Sequence, residues 1–110
     1  GQHVEDALAE LAPAAPADRS LAWNLALGVL RTRSALDEVI VGAARRSLTT
    51  IEPGAIVILR AAIYELRFTR TPPHAAVDQA VAASRRLGVG HAAGFINAVL
   101  RNQGAITPSA

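Results

Sequence analysis

The chain has 110 residues, 51% of them hydrophobic, and no cysteine. That length holds one domain with one aliphatic core, and the missing cysteine excludes a disulfide framework, thiolate metal ligands and a thiol nucleophile. The formal charge of +2 is uneven: residues 1–18 carry −4 and the remainder +6, with all eleven basic residues arginine, so only the body suits a polyanion.

In chain order, the first residues, "GQHVEDALAE", show no basic and apolar leader pattern, so a cytoplasmic protein is expected. No apolar run approaches the ~20 residues that span a membrane. Val4, Ala7, Leu8 and Leu11 recur at helical spacing and predict an amphipathic, acidic helix. "PAAPAD" (residues 13–18) reads as a loop, with Asp18 as N-cap of the next helix. That helix runs from Arg19 to Arg33 and carries Leu21, Trp23, Leu25, Leu27, Val29 and Leu30. Gly28 lies in its middle, which costs ~1 kcal/mol against alanine and points to close helix packing. Ser34, with Asp37 three residues on, reads as a fresh capping box opening a third helix whose face is Leu36, Val39, Ile40 and Ala43.

"TTIEPGA" is a connector, with Pro53 in the first turn of a fourth helix. Ile56, Leu59, Ile63 and Leu66 form that helix's face, with Arg60 and Arg67 to the side. Its "IVIL" run would also suit a buried strand, but the length favours helix. "TRTPPH" breaks the chain again, with Pro73 in a structural role. A fifth helix follows with Val77, Val81 and Leu87 inward, ending at Arg85, Arg86 and a Gly88 C′ cap. The last helix runs from His91 to about Gln103. The expectation is an all-α compact bundle of about six helices in one domain. Residues 1–17 form its acidic head, 18–103 its core and 104–110 a frayed tail.

Within the last helix, "GFINAVLRN" places Asn97 among Phe95, Ile96, Val99 and Leu100. Asparagine is a poor helix former because its amide competes for backbone bonds. A buried amide needs partners, so Asn97 is expected to be doubly hydrogen-bonded and structural, leaving Arg101 free to face phosphate. "GVGHAAG" has dinucleotide-loop spacing, but no strand precedes it. His3, His74 and His91 stand in separate segments, which does not suit a metal site. No nucleophile motif is present and the carboxylates are scattered. The arginine pairs remain: Arg31/Arg33, Arg45/Arg46, Arg67/Arg70, Arg85/Arg86, and Arg101 alone. Most sit at expected helix C-termini, where they also offset the macrodipole.

The stretch Ile58–Asn102 resembles the NusB-like RNA-binding domain family. The resemblance rests on Leu59-Arg60, Tyr64-Glu65-Leu66, the run Pro73 to Val77, Ala80-Val81, Leu87-Gly88 and the run Gly94 to Arg101. Upstream, Asp18–Ile40 is similar to the family's corresponding segment. The resemblance implies a non-catalytic RNA-binding domain, with Arg31, Arg33, Arg85, Arg86 and Arg101 on the RNA-facing surface. One branch of the family is a free-standing transcription antitermination factor. The other is the N-terminal domain of a methyltransferase that forms 5-methylcytosine in small-subunit ribosomal RNA. "PPHAAVDQAV" and "NAVLR" look more like the second branch. That chemistry needs a cysteine nucleophile and a site for S-adenosylmethionine, so this chain is expected to be the accessory domain, with no cofactor. The expected partners are RNA, the methyltransferase domain itself or a ribosomal protein; a helical protein-interaction module without RNA binding is the other reading. Family members begin with an arginine-bearing helix that this chain starts too late to contain. A bundle lacking it would leave an aliphatic groove, so a homodimer is expected, with Leu8, Leu11, Leu21 and Leu25 near its seam.

Overall fold

The computed structural model describes residues 16–103, with side chains from residue 23 onward. The expected Val4–Leu11 helix and the 104–110 tail lie outside the described residues. Four α-helices and two short 3-10 turns make an all-α bundle: α1 (Pro16–Ala44), a turn at Leu48–Thr50, α2 (Pro53–Phe68), α3 (Pro73–Arg86), a turn at Gly90–Ala92, and α4 (Ala93–Asn102). There is no strand among the described residues.

The second and third expected helices are one. α1 runs unbroken through Ser34 for 29 residues, so the expected count of about six is too high. Phase explains the continuity. Val29, Leu36, Ile40 and Ala43 are all buried at spacings of seven, four and three. Those spacings keep one face inward only if the helix does not rotate at Ser34. The Thr32 hydroxyl donates to the Gly28 carbonyl at 2.7 Å, inside the helix. Asp37, expected in a capping box, is engaged elsewhere. Asp18 is likewise not the N-cap: the helix starts at Pro16, where a missing N–H costs nothing. α1 ends at Ala44, and the next residue, Arg45, has a left-handed φ of 56° that stops the helix without glycine.

α2 is the centre of the bundle. Ala55 and every residue from Val57 to Ile63 are buried, so it is covered on nearly all sides by α1, α3 and α4, as suits a helix apolar around its circumference. The exception is Arg60, whose side chain is 10% exposed. Its Nε and Nη2 donate to the two Asp37 carboxylate oxygens at 2.7 and 3.0 Å. This bidentate pair ties α1 to α2. A second tie lies nearby: a Cβ added to Gly28 would stand 2.2 Å from the Tyr64 hydroxyl. The glycine is what lets the Tyr64 ring lie against α1.

α3 packs through small residues. Ala76, Ala80, Ala83 and Ser84 are buried, whereas Val77, Val81 and Leu87, expected inward, are half-buried. The alanine stripe permits close approach to the bundle, and the larger side chains flank that contact. Gly88 caps α3 as expected, with φ of 75°. Its N–H donates to the Arg85 carbonyl at 3.2 Å, and Val89 N–H to Ser84 at 2.8 Å. Together they complete a Schellman motif. Ile96, Val99 and Leu100 bury one face of α4.

Two stability measurements test these ties. Asp37→Ala leaves the Arg60 guanidinium buried and unpaired, and is expected to cost about 3–5 kcal/mol in denaturant melts, with the double replacement Arg60→Met/Asp37→Leu losing much less. Gly28→Ala gains helix propensity but meets Tyr64; a net loss of about 1–2 kcal/mol is expected from the overpacking.

Candidate nucleic-acid interface

The arginines named from the sequence do not form one patch. Arg31 and Arg33 lie exposed midway along α1, and Arg33 stands 4.0 Å from Asp37. Arg101 lines a cleft of about 550 Å³ together with Pro73 and His74, the first residues of α3. Arg85 and Arg86 are in the last turn of that same helix, about 20 Å away at 1.5 Å per residue.

A different cluster does come together. Arg45 and Arg46 follow the last residue of α1, and the Arg46 guanidinium lies 5.2 Å from the centroid of the Phe95 ring in the first turn of α4. Arg46 is held there: its Nε donates to the Thr50 hydroxyl at 3.2 Å and its Nη2 to the Thr50 carbonyl. Arg85, in the last turn of α3 with Arg86, lies against the turn that leads into α4, since a Cβ on Gly90 would be 3.6 Å from the Arg85 side chain. His91, in the turn between them, pairs with Glu52 at the start of α2. Arg45, Arg46, Arg85, Arg86 and His91 are all exposed, and Phe95 is half-buried. Among the described residues, this end of the molecule therefore carries four arginines, one histidine and an aromatic ring, with the Glu52 carboxylate paired to His91. Two helix C-termini also point here, and part of this positive charge offsets their dipoles. The surplus is available to an anion.

The sequence reading names Arg46 among the arginine pairs and Phe95 on the last helix, but does not bring them together. They are 49 positions apart, and no local pattern joins them. Arg67 is not free either: it donates to the Gln103 side chain at 2.9 Å and to the Gln103 carbonyl at 2.7 Å, locking the end of α2 to the end of α4. Glu65, near that end, has its pKa raised by burial, opposed by a hydrogen bond with Thr71. It lies at the opposite end of α2 from Glu52 and the basic corner. Among the described residues no cluster of His, Cys, Asp and Glu could hold a metal, and no helix is long and apolar enough to cross a membrane.

The expectation for Asn97 is not met. The residue is half-buried, and its Oδ1, closed off from solvent, has no hydrogen-bond partner among the described residues. Asn102, five positions on, makes a single tie to a neighbouring helix end: its Nδ2 donates to the Ala43 carbonyl at the end of α1, at 3.3 Å. The terminal α1 carbonyls lack intrahelical partners, so the last helix docks through its last asparagine.

Residues 1–104 match the NusB family. Ribosomal RNA small subunit methyltransferase B of Escherichia coli is 36% identical over 84 residues, which is 76% of this chain and 20% of that protein. A Mycobacterium tuberculosis protein, provisionally named a methyltransferase, is 40% identical over 84 residues, 76% of this chain and 18% of that protein. The chain thus spans about a fifth of the length of the curated relatives it matches. No solved structure matches.

The two asparagines are expected to behave oppositely in denaturant melts. Asn97→Leu should be neutral or slightly stabilising, because it removes a dry, unpaired carbonyl. Asn102→Leu should cost about 1 kcal/mol, because the Ala43 carbonyl loses its donor.

Proposed function

This chain belongs to the NusB family, and on that premise we propose that it is a non-catalytic RNA-binding domain whose RNA-facing surface is the corner around Phe95. The observation that carries the reading is the Arg46–Phe95 stack flanked by Arg85 and Arg86. Unpaired RNA is recognised by stacking on aromatic and guanidinium planes while arginines meet its phosphates. A stack held in place by Thr50 offers a preformed platform, and four exposed arginines supply the charge.

The relatives' names extend the proposal to the N-terminal, accessory domain of a small-subunit ribosomal RNA methyltransferase. Its partners are then ribosomal RNA and the catalytic domain of the same protein. Transfer of the methyl group would belong to the part of those relatives that this chain does not span. Arg31, Arg33 and Arg101, separated from the corner, are assigned secondary phosphate contacts.

Anisotropy titrations with a fluorescent single-stranded RNA test this. Reversing Arg85 and Arg86 to Glu, or Arg46 to Glu, is expected to weaken binding at least about tenfold at low salt and to flatten its dependence on salt. Arg31→Glu/Arg33→Glu should weaken it less. Equal losses from both sets would remove the corner's special role. No RNA binding by the unaltered chain would remove the proposal.

A further inference from the structure

The cleft that Arg101 lines stands apart from the basic corner, and its walls carry polar groups that the fold does not use. It lies between the first two turns of α3 and the second half of α4, with Leu66 of α2, Val77 and Leu100 among its apolar lining. Its polar lining includes His74 and Asp78 on α3 and Asn97 and Arg101 on α4. His74, Asp78 and Arg101 are exposed, and none of them makes an ion pair among the described residues. At about 550 Å³ the cleft is in the size range of sites that take a small molecule or a short segment.

Asn97 indicates what the cleft takes. Its Oδ1 is closed off and unpartnered among the described residues, whereas its Nδ2 is not closed off and makes no hydrogen bond among them either. An amide that contributes no bond to the bundle still costs helix propensity. A polar group with no structural use points to a partner outside the fold. A carboxamide matches a peptide group, because each offers N–H donors and a carbonyl acceptor.

The positions set a spacing. α3 and α4 are joined by a short turn and run antiparallel, so His74 and Arg101 share one end of the cleft, and Asp78 and Asn97 lie one turn further in. Four helical residues rise about 6 Å, which an extended chain covers in about two residues. Side chains two apart point to the same side of an extended chain. A segment lying along the cleft can donate a main-chain N–H to Asp78 and accept from Asn97 Nδ2 at a carbonyl. One aliphatic side chain then rests on Leu66, Val77 and Leu100, and a carboxylate two residues away meets Arg101 and His74. Asp78 and the apolar floor disfavour a run of phosphates, whereas a single carboxylate is met at the basic end alone.

We infer that this cleft recognises an extended peptide segment in which an aliphatic and an acidic residue stand two positions apart. The inference does not depend on the RNA-facing corner, which lies at the other end of α3.

Amide and side-chain shifts of the labelled 110-residue chain, titrated with blocked peptides, test it. The probes are serine-based heptapeptides with one central leucine and one glutamate placed one, two or three positions away on either side, each with a lysine counterpart. The contact is small, so probe concentrations reach about 1 mM. The largest shifts are expected from a two-position spacing, at the Asn97 side-chain amide, His74 and Arg101, with the lysine counterpart at least about tenfold weaker. Arg101→Glu, on the surface, should reverse that preference. Asn97→Leu should weaken binding at least about tenfold while the fold is kept. Absence of shifts at these residues with every leucine–glutamate peptide would overturn the inference. So would equal binding at all spacings, or of glutamate and lysine peptides. Shifts there from single-stranded RNA and from no peptide would give the cleft to nucleic acid and overturn it as well.

Discussion

The Arg60–Asp37 pair is the constraint on which the rest of the bundle turns. α2 is apolar on almost every side, and a helix of that kind has many near-equivalent ways to sit among its neighbours. One guanidinium buried in it removes that freedom. Arg60 must face a carboxylate, and Asp37 on α1 meets it with both oxygens. An unpaired charge there would be costly, so the pair selects one rotation of α1 about α2. With that rotation fixed, Gly28 lies under Tyr64, and the end of α1 comes to the start of α4. The Arg46–Phe95 stack and the Asn102 bond to Ala43 follow from the same placement.

The short helices were legible because proline and glycine mark their ends. Pro53 and Pro73 open α2 and α3, and Gly88 closes α3 with the conformation its residue type favours. α1 was misread because Ser34 and Asp37 imitate a cap, while the hydrophobic phase across them, the stronger signal, was not followed. In α3 hydrophobicity alone points to the larger side chains as the core, although the small ones permit the closer contact. The candidate interface was legible only in part. Arg85 and Arg86 were named, but a single sequence does not show that Arg46 would cross 49 positions to reach Phe95. Arg101, named with them, stands at the other end of α3. The choice between Asn97 and Asn102 likewise depended on where another helix ends.

The surface divides by chemistry. The corner where α1, α3 and α4 meet is basic, with an aromatic ring at its centre. The outer face of α1 is apolar, with Trp23, Leu27 and Leu30 exposed. The first suits a flexible polyanion, whose phosphates and bases adapt to arginine and a ring. Family membership agrees with the all-α fold class.

Amide chemical shifts of the labelled chain, followed during titration with single-stranded RNA, test the central assignment most directly. Shifts concentrated at Arg45–Ser47, Arg85–Ala92 and Phe95, with little change around Pro73 and Arg101, would agree with an RNA-facing corner built on the Arg46–Phe95 stack. Shifts concentrated at the α3 start and Arg101, or along Arg31 and Arg33 with the corner silent, would contradict it.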